Sequence, residues 1–371
     1  MTAAPAASNR IRVLVVEDSV TVRQHLLALL RSDPQFEVVG VAGDGERANE
    51  LCSGLRPDVV TLDMALPIAN GLEITQHIMS ECPTPILIVS SSTNRGEALR
   101  MFDALMAGAV DVLEKPTPDE VEGLWRKRFL SAVRVVSRVR VVTRPARRSE
   151  GGPKPRNATT PERSIPPRTC LAPALIAIGA STGGPAAVAR VLTELRPDFP
   201  VPILVVIHIA PMFAPTLAAW LGTQTSIPVS NVQDGQSVPA CGVPQILVAP
   251  AVDRHLIVRD GRLVTTGEAE RNYSRPSVDV LFESIASQVG PRAVGCLLTG
   301  RGQDGANGLL AIRLAGGVTL AQDEADCAIF GMPREAIRLG AASHVQSLPG
   351  IALMLSAMAS SGSIERRGAS W

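Results

Sequence analysis

The sequence predicts an α/β protein made of two parallel-sheet domains joined by a linker. The chain has 371 residues, enough for two domains of ordinary size. Short apolar runs alternate with amphipathic helical patterns in both halves, as they do when helices cover a parallel sheet. Between the halves, residues 143–171 are rich in Pro, Gly, Arg, Ser and Thr and lack apolar periodicity, which is typical of a linker.

We predict domains at residues 10–140 and 172–360, with the linker at 141–171. The predicted strands of the first domain are Ile11–Val16, Glu37–Val41, Asp58–Leu62, Ile86–Val89 and Val110–Leu113. Those of the second, which we expect to be doubly wound, are Ala174–Ile178, Ile203–His208, Gln245–Val248, Ala293–Leu298 and Val318–Leu320. Apolar residues at helical spacing predict helices over Ser19–Arg31, Gly71–Glu81, Gly183–Leu195, Ser277–Gln288 and Gly305–Leu314.

The composition excludes several classes of protein. Hydrophobic residues make up 46% of the chain and charged residues 19%, which is typical of a soluble globular protein. A net charge of +1 and an aromatic content of 3% disfavour specific binding to nucleic acid. The cysteines form no C-x-x-C pair, no run of 18 apolar residues occurs, and the N-terminus does not resemble a signal peptide. We therefore expect a cytoplasmic protein without a membrane span.

One segment departs from this charge balance. Arg126–Arg168 carries 13 lysines and arginines but two acidic residues. Valines among its first arginines predict that this part continues the last helix of the first domain. A solvated helix and linker fits the pattern, and so does a contact with an acidic partner or a non-specific contact with nucleic acid. The tail Ser360–Trp371 is predicted to be disordered.

Polar side chains follow four strands of the first domain. They are Glu17 and Asp18 after the first strand, Asp63 after the third, Ser90 after the fourth and Lys115 after the fifth. The carboxyl ends of parallel strands form the binding crevice of such a sheet. Three carboxylates there would repel one another without a cation, and their oxygens suit Mg²⁺. Asp63 is then a candidate nucleophile toward a phosphoryl group whose charge Mg²⁺ and Lys115 neutralise.

This constellation resembles the receiver domain of two-component response regulators, over about residues 10–140. The resemblance implies a flavodoxin-like fold with a five-stranded parallel sheet. It also implies an acid pair at Glu17 and Asp18, phosphorylation of Asp63 with Mg²⁺, and switch roles for Ser90 and Lys115.

Two features complicate the interpretation of this site. Asp18 or Ser19 could simply cap the following helix. After Asp63, relatives carry E-M-P-x-M-D-G where this chain has Ala65-Leu-Pro-Ile-Ala-Asn-Gly71, so two acidic side chains are missing. We expect metal affinity or phosphorylation rate to differ, although the ligand two residues after Asp63 is expected to be a backbone carbonyl.

A glycine turn follows the first strand of the second domain. Gly179-Ala-Ser-Thr-Gly-Gly-Pro185 places Ser181 in a G-x-S-x-G motif between a strand and a helix. Such an elbow exposes a nucleophilic serine, and N–H groups near the helix N-terminus are candidates to stabilise an oxyanion. A glycine-rich loop that cradles a phosphate is the alternative, although the P-loop lysine is absent.

Two further strand ends carry the partners that a serine nucleophile needs. His208 ends the second strand, and Asp304 lies in the loop after Ala293–Leu298. A lone histidine there is often only structural, and Asp304 could cap a helix or bind calcium, although the calcium-loop spacing fails. Another histidine, His255, is predicted to lie in a turn. A parallel sheet can bring Ser181, His208 and Asp304 to one crevice.

The second domain resembles the catalytic domain of bacterial chemotaxis protein-glutamate methylesterases, the CheB family. The segments that carry the resemblance are AIGASTGGP around Ser181, VIHIAP around His208, LLTGRGQDGANG around Asp304, Tyr273–Phe282 and Ala321–Ala336. A receiver joined by a linker to this domain is the architecture of that family. Arg301 and Gln303 stand where the family usually has Met and Asn, so a cation beside the site is expected to alter substrate preference.

The resemblance implies a phosphorylation-regulated serine hydrolase with the triad Ser181, His208 and Asp304 and with Thr182 as an oxyanion candidate. It would demethylate glutamate γ-methyl esters on chemoreceptors, release methanol and deamidate certain receptor glutamines, without a cofactor for hydrolysis. Its implied partners are those chemoreceptors and a chemotaxis histidine kinase, and the unphosphorylated receiver would pack over the crevice. A transcription factor is disfavoured because no helix-turn-helix pattern occurs, and an inactive adaptor with the same fold is the third alternative.

Overall fold

The structure is a computed structural model that describes residues 10–67, 70–91, 95–116, 123–141, 172–211, 213–249 and 253–365. The predicted linker lies outside these residues apart from Val141, so its assignment and the domain boundaries stay predictions. The last six residues of the tail lie outside them as well.

The first sheet has the predicted five parallel strands. They are β1 (Ile11–Val16), β2 (Phe36–Ala42), β3 (Val59–Leu62), β4 (Ile86–Ser90) and β5 (Asp111–Glu114). Their order is β2-β1-β3-β4-β5, so the winding reverses between β1 and β3. Ligand crevices form where the winding of a parallel sheet reverses, and the acidic residues after β1 and β3 meet there. The predicted fold class is confirmed for this half.

Helices cover both faces of this sheet. They are α1 (Val20–Arg31), α2 (Gly45–Leu55), α3 (Gly71–Glu81), α4 (Arg95–Ala107) and α5 (Leu124–Val136). The basic segment forms most of α5, where Phe129, Val133 and Val136 are buried. Arg134 on its outer side pairs with Asp33 at 3.1 Å. The first part of the basic segment is therefore a packed amphipathic helix of the first domain.

The second sheet is larger than predicted and is parallel throughout. Its strands are β6 (Leu175–Ala180), β7 (Ile203–Ile207), β8 (Val229–Asn231), β9 (Ile246–Val248), β12 (Ala293–Leu297), β13 (Val318–Gln322) and β14 (His344–Gln346). The strands β10 (His255–Arg259) and β11 (Arg262–Thr266) form a separate antiparallel hairpin. The order β14-β13-β12-β6-β7-β9-β8 makes the sheet doubly wound, with its reversal between β6 and β12. The loops that carry Ser181 and Asp304 follow these two strands.

The helices of this half are α6 (Gly184–Thr193), α7 (Ala214–Gln224), α8 (Val278–Val289), α9 (Ala306–Leu314), α10 (Met332–Arg338) and α11 (Leu348–Glu365). Two predictions are wrong here. His255 begins β10 and is fully buried instead of lying in a turn, because the hairpin packs on α8. The tail is helical as far as Glu365, because α11 buries Ile351, Leu355 and Ala359 against the sheet and α6.

The two halves share a continuous apolar core. Helix α4 of the first half packs against α6 and α7 of the second. At this contact Phe102 and Trp220 stack with ring centroids 5.0 Å apart, and both are buried. The indole N–H of Trp220 donates to Asp103 Oδ1 at 3.0 Å. The first domain is therefore docked on the second in this structure.

Candidate active site and phosphoacceptor site

Ser181 lies directly after β6, in a turn that the glycines around it make possible. Its N–H donates to the carbonyl of Thr299 at 3.0 Å, and its carbonyl accepts from the N–H of Gly184 at 2.7 Å. Gly183 has a φ of +75°, which a residue with a side chain rarely adopts. A Cβ on Gly300 would lie 2.8 Å from the Cβ of Ser181, so glycine is needed for this close approach of the loop after β12.

His208 leaves the neighbouring strand at the same edge of the sheet. Its backbone N–H donates to the carbonyl of Ala180 at 3.0 Å, which places it beside Ser181. Its Nε2 lies 2.9 Å from Oδ2 of Asp304. An ionised carboxylate can only accept, so Nε2 carries the proton and Nδ1 keeps its lone pair. Ser181 and His208 are both among the described residues, and the Ser181 hydroxyl forms no hydrogen bond with the imidazole there. Such catalytic hydrogen bonds often form fully only when substrate binds.

Asp304 is buried and anchored by the N-terminus of α8. Its Oδ2 accepts from the N–H of Val278 at 2.7 Å, and its Oδ1 accepts from the Ser277 hydroxyl at 2.6 Å and the N–H of Asp279 at 3.2 Å. Burial alone would raise the pKa of Asp304, but the hydrogen bonds from His208, Ser277 and Val278 outweigh it and lower that pKa. The side chain thus binds N–H groups at the N-terminus of a neighbouring helix as well as the imidazole.

Four side chains around Asp304 were not predicted as functional: His255, Asn272, Ser277 and Asp279. Buried His255 accepts the N–H of Ser277 on Nδ1 at 3.1 Å, and its Nε2 lies 3.0 Å from the carbonyl of Ala269. It therefore fixes the residue that begins α8. Three of the four belong to or adjoin the segment Tyr273–Phe282, whose only signal in the sequence was its resemblance to the family. Their roles depend on the loop before α8 folding back onto Asp304, which spacing along the chain does not reveal.

The first domain contacts the loops of this site directly. The hydroxyl of Thr182 donates to Oδ2 of Asp111, the first residue of β5, at 2.8 Å. Burial raises the pKa of Asp111, although the bond from Thr182 works against that rise. Arg301 donates to the hydroxyl of Ser131 on α5 at 2.8 Å. The cation that we expected to affect substrate preference thus reaches the receiver in this docked arrangement, and its effect on substrate stays a prediction.

The first domain brings together the carboxylates that the sequence predicted to bind a metal. Ligand atoms of Glu17, Asp18 and Asp63 all lie within 4.8 Å of one another, and the described residues contain no other such group of three. Ser19 caps α1 through its hydroxyl, which accepts from Val22 at 3.4 Å. Asp18 therefore stays exposed and does not serve as the cap. Oxygen donors of this kind fit a hard divalent cation.

Lys115 and Ser90 stand beside these carboxylates. Lys115 Nζ lies 2.7 Å from Asp63 Oδ2 and 2.8 Å from Glu17 Oε2. Burial raises the pKa of Glu17, and this outweighs the opposite effect of Lys115. Burial would lower the pKa of Lys115, but its bonds to Asp63 and Glu17 raise it. Buried Ser90 accepts the backbone N–H of Lys115 at 3.0 Å through its carbonyl, so the two predicted switch residues are neighbours.

Two residues of the changed segment after Asp63 form local hydrogen bonds. Asn70 caps α3, because its Oδ1 accepts from the N–H of Glu73 at 3.0 Å. Ala65 N–H donates to Asp63 Oδ1 at 3.3 Å. Residues 68 and 69 lie outside the described residues, and the expected effect of the change on metal affinity stays a prediction.

The two sheets and their strand-end residues define a class of protein, a response-regulator receiver joined to an α/β domain with a serine-hydrolase arrangement. The family model for the CheB methylesterase matches residues 176–355, and that for the response regulator receiver domain matches residues 13–123. This chain belongs to the family of the protein-glutamate methylesterases/protein-glutamine glutaminases.

Relatives match along nearly the whole chain. A protein-glutamate methylesterase/protein-glutamine glutaminase of Nitrosospira multiformis is 41% identical over 93% of this chain and 96% of its own length. One of Myxococcus xanthus, numbered 4, is 41% identical over 96% of this chain and 99% of its own length. Among solved structures, the Thermotoga maritima CheB methylesterase catalytic domain matches 51% of this chain and all of its own, at 31% identity and a TM-score of 0.47.

Within the described residues, every helix is too short or too polar to cross a membrane.

Proposed function

We propose that this chain is a phosphorylation-regulated serine hydrolase that demethylates glutamate γ-methyl esters on chemoreceptors and deamidates certain receptor glutamines. The observation that carries the proposal is the 2.9 Å bond between His208 and Asp304, at strand ends beside Ser181. Relatives that match nearly the whole chain and bear the name of this activity support it. A cytoplasmic location and a chemotaxis histidine kinase as phosphodonor belong to the same proposal.

The arrangement suits a two-step acyl transfer. Ser181 Oγ attacks the ester carbonyl carbon, and its proton passes to Nδ1 of His208. The tetrahedral intermediate collapses, and the methoxy group leaves as methanol with the proton from the imidazole. Water then attacks the acyl-serine with the same base, which frees Ser181 and leaves a glutamate carboxylate. With a glutamine substrate, the first leaving group is ammonia.

The charge that develops on the carbonyl oxygen needs donors close to Ser181. The backbone N–H of Thr182 is our candidate, since it adjoins the nucleophile and precedes the N-terminus of α6. Loss of one such donor typically costs about 2.7–4 kcal/mol in the activation barrier. The lowered pKa of Asp304 keeps this carboxylate ionised, so Asp304 stabilises the imidazolium that forms in the first step.

In the receiver, Glu17, Asp18 and Asp63 would hold Mg²⁺, since their ligand atoms converge within 4.8 Å. When bound, the cation would neutralise the charge of the incoming phosphoryl group. Asp63 would supply the attacking oxygen, and Lys115 already lies 2.7 Å from that carboxylate. Ser90 would bind the new phosphoryl group and report its presence.

The receiver would inhibit the hydrolase in the arrangement described above. Asp111 accepts a hydrogen bond of 2.8 Å from the hydroxyl of Thr182, the residue next to the nucleophile. A receptor helix could not reach Ser181 while β5 and α5 occupy this side of the crevice. Phosphorylation of Asp63 would weaken the docked state and expose the site. This accounts for a hydrolase and a receiver in one chain.

Methanol release from methylated chemoreceptor membranes tests the proposed activity. The full chain should release methanol, and Ser181→Ala should reduce the release to that of membranes alone, because no other group replaces the nucleophile. Unmethylated membranes serve as the substrate control. Equal release by the wild type and by a folded Ser181→Ala variant would refute the catalytic assignment.

Phosphorylation tests the proposed receiver site. Asp63→Asn should abolish both the mobility shift of the phosphorylated chain on gels that contain a phosphate-binding metal complex and the activation of methanol release by a small acyl phosphate. A chelator of divalent cations should have the same effect on the wild type, because three carboxylates would then face the phosphoryl group without a cation. Asp58→Asn is the matched control, since Asp58 precedes β3 at the opposite end from Asp63. Activation of Asp63→Asn to the wild-type level would place the phosphoacceptor elsewhere.

A further inference from the structure

Asn272 touches both buried acids of the catalytic half. Its Nδ2 donates to Oδ2 of Asp279 at 2.8 Å and to Oδ1 of Asp304 at 3.2 Å. Asp279 is fully buried and Asp304 is 2% exposed. One amide group therefore bridges two carboxylates that lie side by side away from water.

Such a pair needs donors between its members. Two buried carboxylates repel each other, and protonation of either one would relieve the repulsion. Burial raises the pKa of Asp279, and the charge of Asp304 raises it further. Nearby Arg271 is engaged by Glu283, at 2.6 Å through both guanidinium nitrogens. The amide of Asn272 thus donates one hydrogen bond to each acid. It adds no charge that would compete with the imidazole for Asp304.

The contacts of Asp304 show what the bridge orients. Its Oδ1 accepts hydrogen bonds from the Asn272 amide, the Ser277 hydroxyl and the N–H of Asp279. Its Oδ2 accepts from the N–H of Val278 and from the imidazole of His208. Donors on Oδ1 fix the rotation of the carboxyl group. With that rotation fixed, Oδ2 stays directed at Nε2 of His208.

The backbone before α8 has a conformation suited to this contact. Asn272 has a φ of +53° and Tyr273 one of +60°, both in the left-handed region. Asn tolerates this region better than most residues. The side chain of Tyr273 is 98% exposed, whereas that of its neighbour turns inward to the two acids. A strained surface turn that directs one amide to a catalytic acid indicates a functional constraint.

We propose that Asn272 is a positioning residue of the hydrolase, whose amide bridges Asp279 and Asp304 and so holds Asp304 in the orientation that His208 requires. The inference rests on the proposed function. It assigns no contact with substrate to Asn272, so its loss should lower kcat and leave KM nearly unchanged.

The test separates this role from a purely structural tie between Asn272 and Asp279. Asn272→Asp places a carboxylate against both acids, and Asp279→Asn places an amide N–H₂ against that of Asn272. The double variant N272D/D279N restores one good contact, because the new amide at 279 can donate to the new carboxylate at 272. Gly308 N–H, now 2.7 Å from Asp279 Oδ1, would still find an oxygen there. The repulsion between positions 272 and 304 remains.

Methanol release by the full chain, activated with a small acyl phosphate and Mg²⁺, is measured against pH together with the melting temperature. We expect both single variants to melt earlier and the double variant to recover most of that loss. Its kcat should nevertheless stay at least tenfold below the wild type, with KM within twofold. The single variant Asn272→Asp adds a negative charge beside Asp304, so the acid limb of its rate profile should move to higher pH, whereas the double variant keeps the net charge of the wild type.

Recovery of the wild-type kcat in the double variant would show that Asn272 is only a structural tie, and would overturn the inference. So would a wild-type kcat in Asn272→Asp alone. The proposed function fails in a different way, through methanol release that does not depend on Ser181. The two failures are therefore distinguishable in one set of measurements.

Discussion

Asp304→Asn is expected to slow ester hydrolysis by about 10⁴-fold, the typical effect of the same change in a serine-protease triad. Oδ2 of Asp304 accepts from both His208 and Val278. If the new N–H₂ occupies that position, Nε2 of His208 must accept, the proton moves to Nδ1, and the base for Ser181 is lost. If the amide turns over, its N–H₂ meets the donors on the Oδ1 side and the imidazolium has no counter-charge. Either arrangement removes transition-state stabilisation.

The measurement is kcat for methanol release, with the melting temperature taken in parallel. Asp260→Asn, in the exposed turn between β10 and β11, is the matched control, since it makes the same chemical change away from the site. It should leave kcat unchanged. A rate for Asp304→Asn within tenfold of the wild type would show that Asp304 does not support the base.

The same substitution has a consequence for stability against pH. The folded-state pKa of Asp304 is lowered: burial opposes this, but its hydrogen bonds prevail. A group of this kind contributes stability that is present above its unfolded pKa and is lost as pH falls through the folded one. The wild type should therefore lose stability toward acid more steeply than Asp304→Asn.

The sequence predicted the sheets because each central strand is a continuous apolar run. The polar site residues at the strand ends could also be predicted. An abrupt change from apolar to polar residues marks the point where a parallel strand reaches the crevice. The three-residue strands β8 and β14 are mostly polar and form no such run, whereas β9 is equally short but wholly apolar. Asn272, Ser277 and His255 were missed as functional residues because their roles come from a loop that folds back over Asp304, and no local pattern encodes that contact.

The interface between the halves could not be predicted either. Trp220 lies in a helix whose apolar residues would suit any core, and its stacking on Phe102 joins residues far apart in the chain. Arg301 was recognised as a departure from the family, but its partner Ser131 belongs to the other domain. Contacts between separately folded units depend on shape and burial over whole surfaces. A single sequence shows neither.

Trp220→Ala is expected to raise the hydrolysis rate of the unphosphorylated chain toward that of the phosphorylated wild type. Trp220 is 1% exposed, stacks on Phe102 at 5.0 Å and donates to Asp103 at 3.0 Å. Truncation of a buried Trp typically costs about 3–5 kcal/mol. Where half of that cost falls on docking, the equilibrium between docked and released receiver shifts by roughly tenfold or more, since about 1.4 kcal/mol is a factor of ten. Arg301→Met, which removes one exposed hydrogen bond, should act in the same direction by a few-fold.

Two comparisons make the result specific to the interface. Trp125→Ala removes an indole that stacks on Phe129 at 5.1 Å within the receiver. It should lower the melting temperature and leave the unphosphorylated rate unchanged. Phosphorylated Trp220→Ala should have the same rate as the phosphorylated wild type, because a released receiver no longer makes this contact. Equal rates would also show that the substitution leaves the hydrolase domain intact. If Trp220→Ala keeps the basal rate of the wild type and is still activated by the same factor, docking of the receiver is not what restrains Ser181, and control must instead act through the geometry of the catalytic loops themselves.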